Sequence, residues 1–196
     1  MEKIDKAIEI LVNPIFLFVF LVVVMLIGRL LFGKRTIDCT SIIERHISCI
    51  LNERHGKYVF TLFFVVPLIL ALALAKVSII NDNVINIITI IISILTSMFF
   101  TLLTLVLDMK TRVKEDKRKS ASDAAIMANI LKETYYSIMF EILVCVLLLI
   151  CCFLNIFSSK YSYGKSVLIY YMTLVILMNL FMILKRIFKT IENTMR

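Results

Sequence analysis

The stretch Val84–Leu107 reads VINIITIIISILTSMFFTLLTLVL and contains no charged residue. It exceeds the roughly 18 apolar residues that mark a membrane-crossing helix. Lipid offers the backbone no hydrogen-bond partner, so only helices and closed barrels cross it. The apolar residues here do not alternate with period two, which leaves the helix. Four further stretches read the same way: Pro14–Phe32, Tyr58–Ala75, Ile138–Phe157 and Val167–Leu184. The composition agrees. The chain of 196 residues is 61% hydrophobic, with a mean hydropathy of +0.96, whereas a soluble domain is nearer half apolar. The expected fold is all-α: a single polytopic transmembrane helix bundle over residues 1–196, with a cytoplasmic helical hairpin and amphipathic interfacial helices.

The first stretch has a long apolar core, is followed by Arg29, Lys34 and Arg35, and lacks a small-residue cleavage site, so it reads as retained rather than cleaved. Asn13 and Pro14 suit a helix start. The basic residues then orient the chain, because Lys and Arg gather on cytoplasmic loops. They concentrate in 33–57, 108–137 and 185–196, while the connections at 76–83 and 158–165 carry only Lys76, Lys160 and Lys165. The expected topology is therefore multi-pass, with the C-terminus cytoplasmic. The N-terminus lies outside if the first stretch spans and inside if it does not; length favours spanning, whereas Lys3 and Lys6 favour the other case. The net charge of +8 follows from this orientation and from anionic lipid, so direct nucleic-acid binding is not expected. The short outer connections predict hairpins of antiparallel neighbours.

The cytoplasmic segments are patterned. Ser41-x-x-Glu44 has capping-box spacing, and Ile42, Ile43, Ile47, Ile50 and Leu51 recur helically behind it. An amphipathic helix is predicted at about 42–55, with Gly56 closing it in a left-handed turn; it lies on the inner leaflet or contacts another subunit. Nothing breaks the helix after Leu107, and Ser120-x-x-Asp123 offers a new cap. Ala124, Met127, Leu131 and Ile138 follow at helical spacing. The alternatives are a hairpin continuous with two spans, able to transmit movement, and a plain charged loop. In the hairpin reading, Lys110, Arg112, Lys114, Lys117, Arg118 and Lys119 form a docking surface for a soluble cytoplasmic effector protein. The tail 185–196 continues the last helix and reads as interfacial.

The third span carries one polar stripe: Asn86, Thr89, Ser93, Thr96, Ser97, Thr101 and Thr104, followed by Asp108. Residues three and four apart share a helix face. The stripe is either a packing seam, since small residues allow close helix approach, or the lining of a water-filled path. The absence of a full charge disfavours a selective ion filter. Arg29 can snorkel to the surface. Glu141 is placed to pair with a base of the hairpin, and Asn155 and Asn179 to bond with neighbours. Too few ionisable groups lie in the spans for a proton relay.

Cys39, Cys49, Cys145, Cys151 and Cys152 fall on the cytoplasmic side or inside spans, which disfavours disulfides. Cys39, His46, Cys49 and His55 match no standard zinc spacing. Nucleophile-elbow, Walker, Rossmann and HExxH motifs are absent. Neither an enzyme nor a cofactor or metal site is expected.

The spans at Tyr58–Ala75, Val84–Leu107, Ile138–Phe157 and Val167–Leu184, with the Asp108–Ser137 hairpin, make the chain similar to the membrane subunit of the Kiwa anti-phage system. The resemblance rests on architecture across most of the chain. It implies an inner-membrane homo-oligomer that senses phage-induced perturbation and signals to a soluble, DNA-binding partner. It also implies four spans, from which a spanning Pro14–Phe32 would depart. The leading expectation is thus a defence sensor or scaffold; the alternatives are a pore-forming or depolarising effector and a small transporter subunit.

Overall fold

The computed structural model describes residues 39–51, 56–115, 121–155 and 162–195, together with Phe16, Val19, Phe20, Val23, Val24 and Ile27. Those six are helical and exposed. Whether Pro14–Phe32 crosses, the place of Arg29, the cap at Ser120, and His55 lie outside the described residues. Every described element is helical. We denote them α1 (Cys39–Leu51), α2 (Gly56–Val77), α3 (Asp82–Glu115), α4 (Ala121–Asn155) and α5 (Tyr163–Met195). Among the described residues, four stretches are long and apolar enough to cross a membrane: Gly56–Val77, Asp82–Val113, Ala125–Asn155 and Tyr163–Glu192. The chain is a helical multi-pass membrane protein.

The helices α3, α4 and α5 bury residues at alternating spacings of three and four. On α4 these include Leu131, Thr134, Ile138, Glu141, Cys145 and Leu148; on α5, Ile169, Met172, Ile176, Asn179, Ile183 and Arg186. Ile85, Ile88, Ile92, Phe99, Val106 and Val113 continue the same register on α3. This is the repeat that keeps one seam facing a partner helix. α4 is central, packed on α3, α5 and α1, while α2 packs on α5. Burial follows this order: 17% of the most apolar window of α2 and of α3 is buried, against 56% for α4.

The connection between α2 and α3 is short, yet the two helices do not pack extensively on each other. The expected hairpin is corrected on this point. Its cause is the clamping of the connection to α5: the Ile80 amide donates to Ser166 Oγ at 3.0 Å, and the Tyr163 and Tyr170 hydroxyls donate to the carbonyls of Leu72 and Ser78 at 3.1 and 3.3 Å. α3 then starts under Asn81, whose Oδ1 accepts the Val84 amide at 3.0 Å, an N-cap bond. α4 and α5 do pack as neighbours.

Pro67 shapes α2. Proline supplies no N–H and crowds the carbonyl four residues earlier. The preceding turn, Thr61–Val65, is widened to a π-helical one, with the Val66 amide donating to the Thr61 carbonyl. Beyond it, Pro67, Ala71 and Ala75 are buried at four-residue spacing, so small side chains let α2 approach α5 closely.

At 34 and 35 residues, α3 and α4 are each about 50 Å long, against roughly 30 Å of hydrocarbon. Each is therefore longer than a perpendicular crossing requires. Their shared core includes Val106 and Val113 on α3 and Met127 and Leu131 on α4. Residues 116–120 between them lie outside the described residues.

Candidate functional site at the junction of α1, α4 and α5

α1 is amphipathic but differs from its sequence reading. It begins at Cys39, so Ser41 lies inside its first turn and does not cap it; the predicted continuation over 52–55 lies outside the described residues. Its fully buried positions are His46 and Ile50, while Leu51 is exposed. Gly56 is not a left-handed terminator: it opens α2, where an added Cβ would collide with the carbonyls of Leu51 and Ile50. Glycine is used here for close backbone approach.

His46 joins α1 to α4. Its ring lies parallel to that of Phe140, with centroids 4.2 Å apart, and Phe64 of α2 meets Phe140 edge-on. Among the described residues, neither His46 nitrogen has a hydrogen-bond partner. Burial, followed by the nearby Arg186 charge, pushes the imidazole pKa down to about 3, so the ring is neutral at pH 7. Beside it, Arg45 sits over the Tyr136 ring at 5.2 Å, a cation–π contact. Burial and the Glu133 carboxylate raise the Cys49 thiol, against opposing effects of Arg186, Lys132 and Arg45.

Arg186 supplies the charged centre. Its side chain is 8% exposed. Nη1 donates to Ser137 Oγ at 2.8 Å and to the Glu133 carbonyl at 3.1 Å, and Nη2 lies 3.9 Å from Glu133 Oε2. One turn further along α4, Glu141 faces Asn179 of α5, though neither makes a hydrogen bond of good geometry. The expected pairing of Glu141 with a hairpin base is therefore corrected: this carboxyl points into the α4–α5 seam. Among the described residues, Asn155 and Asn179 likewise make no hydrogen bond of good geometry to a neighbour. The α4–α5 seam thus combines a bonded Arg186 cluster with carboxyl and carboxamide groups that lack hydrogen bonds of good geometry. Buried polar groups of the second kind are costly.

The hydroxyl stripe of α3 lies mostly away from this junction. Asn86, Ser93, Ser97, Thr101 and Thr104 are exposed, and Thr89 and Thr96 are half-buried opposite Cys152 and Cys145. Four hydroxyls bond back to their own helix: Ser93 to the Thr89 carbonyl, Thr96 to Ile92, Thr101 to Ser97 and Thr104 to Thr101, at 2.7–3.2 Å. In the expected docking surface, Lys110 is half-buried, and Arg112 is exposed and pairs with Asp108 at 2.9 Å. Lys114 lies on α3; its side chain, and Lys117, Arg118 and Lys119 altogether, lie outside the described residues. Cys39 and Cys49 are half-buried, and Cys145, Cys151 and Cys152 are buried.

Arg186, Ser137 and Phe140 do not stand out in the sequence as members of this site. The available signal is the three-and-four spacing of Asn179, Ile183, Arg186 and Thr190, which places a basic residue on the buried seam of α5. No protein family, curated protein or solved structure matches the chain.

Proposed function

We propose that the chain is an inner-membrane sensor and scaffold of a bacterial antiviral defence system, and not an enzyme. It passes a perturbation of the bilayer to a soluble cytoplasmic effector protein. The observation that carries this reading is the unbroken course of α3 and α4, which share one packed seam from the apolar stretch to residues beyond it. A tilt of the embedded part moves the far end, about 20 Å away. Glu141 and Asn179 face each other without a hydrogen bond of good geometry, which supports a seam with a second arrangement within reach. The exposed outer sides of α2 and α3 suit a homo-oligomer. The Kiwa-like architecture fits the same role.

The test uses cells expressing the chain with its genomic neighbours. A photocrosslinking residue at Lys110 is expected to capture one soluble protein. Reversing Lys114, Lys117, Arg118 and Lys119 to Glu is expected to abolish both the adduct and the protection from phage, with membrane levels unchanged. Persistence of adduct and protection refutes the docking surface. Failure of the intact set to reduce plating of any phage in a broad panel refutes the antiviral role.

A second reading, a depolarising pore, draws on the exposure of Ser93, Ser97, Thr101 and Thr104. Copies arranged around an axis would present these hydroxyls to one another. It predicts loss of membrane potential on triggering, abolished by Ser93→Leu with Ser97→Leu; a constant potential during infection excludes it.

A further inference from the structure

A groove of 720 Å³ opens between the start of α2, the start of α4 and the end of α5. Clefts of roughly 300–1,000 Å³ hold small ligands. Its walls are mainly apolar: Leu62 and Phe63 from α2, Ile126 and Ile130 from α4, Phe181 and Met182 from α5. Its charges are segregated. Along α5, Phe181 is followed at four-residue intervals by Lys185 and Lys189, all three exposed, so one helix face passes from an apolar ring to two ammonium groups. Glu133 and Arg186 also line the groove, but they face each other at 3.9 Å and largely cancel. Lys185 and Lys189 leave a net charge of two positives.

We propose that this groove binds an anionic phospholipid, with the headgroup phosphate between Lys185 and Lys189 and an acyl chain against Leu62, Phe63 and Phe181. The occupant must be apolar along most of its length and anionic at one end. A free phosphate leaves the apolar walls unused. A second copy brings a further +8 of net charge to a basic mouth. The groove lies beside the start of α2 and the end of α5, two membrane-length helices, the level at which lipid headgroups meet basic side chains. The proposal stands independently of any soluble partner.

The full chain, purified in a non-ionic detergent, is titrated with dioleoyl phosphatidylglycerol, dioleoyl phosphatidylcholine or inorganic phosphate, and bound lipid is counted by native mass spectrometry. One phosphatidylglycerol per protomer is expected, preferred at least tenfold over phosphatidylcholine and not displaced by phosphate. Lys185→Ala and Lys189→Ala should each weaken it roughly fivefold, and both together about 25-fold, as expected for juxtamembrane bases. Lys132→Ala, an exposed base on α4 outside the groove, should leave it unchanged. Ile130→Trp, which fills the groove, should abolish it while the elution volume and helicity of the protein are retained. A photocrosslinking residue at Ile126 should form a lipid adduct. Equal retention of the two lipids, displacement by phosphate, insensitivity to the lysine substitutions, or an adduct to a second chain overturns the proposal.

Discussion

Lowering the pH protonates His46 only if its ring leaves Phe140, so acidification and the docking of α1 are linked. The docked ring titrates at about 3, and a free imidazole near 6.5. A folded-state pKa lowered below the free value means that the undocked form binds more protons between the two. Stability of docking is therefore fully present above pH 6.5 and is lost as pH falls toward 3. The slope is about 1.4 kcal/mol per pH unit. The undocked-to-docked ratio should rise roughly 10-fold by pH 5.5 and roughly 100-fold, or about 2.7 kcal/mol, by pH 4.5. Hydrogen exchange of the α1 amides, corrected for the intrinsic pH dependence of exchange, reads this ratio directly. His46→Phe keeps the stacked ring and removes both unpartnered nitrogens, so its α1 protection should be independent of pH over the same range. Equal pH dependence in both proteins, or none in the wild type, would refute the linkage.

Other substitutions probe the same framework. Arg186→Ala removes a buried, hydrogen-bonded guanidinium and should cost about 1.5–3 kcal/mol in thermal unfolding in detergent. Glu133→Gln should cost under about 1 kcal/mol, because Glu133 is 45% exposed and its ion pair is screened. Ala71→Leu or Ala75→Leu overfills the α2–α5 contact and should destabilise by about 1–3 kcal/mol, again by thermal unfolding. Cys49 should react with a maleimide at pH 7.5 more slowly than in the denatured chain, since its raised pKa reduces the thiolate fraction. Mass spectrometry of quenched samples checks this.

Apolar blocks locate α2 to α5 because spanning a bilayer depends mainly on length and hydrophobicity. The lack of Gly or Pro from Asp108 to Lys119 likewise points to α3 running on past Leu107. What sequence alone does not reveal is which helices touch. The α2–α3 connection is short, yet Ser166, Tyr163 and Tyr170 draw it onto α5, and those bonds join residues more than 80 positions apart. His46 reads as a polar residue beside an isoleucine face; only Phe140, from a distant helix, makes it a core residue. The stripe from Asn86 to Thr104 attracts notice because its hydroxyls stand out in an apolar span. Their own carbonyls satisfy several of them, while the buried seam of α3 is carried by isoleucines indistinguishable by type from the exposed ones beside them.

The continuity of α3 beyond the bilayer is tested most directly by one distance. Spin labels at Asn83 and Thr111, both exposed, are introduced into a chain whose native cysteines have been replaced. They are then measured by double electron–electron resonance in lipid nanodiscs. A straight helix puts the two backbone positions ~42 Å apart, and a single narrow distribution near that value is expected. A broad distribution, or one centred below ~35 Å, would show a break between the span and its extension and contradict the lever.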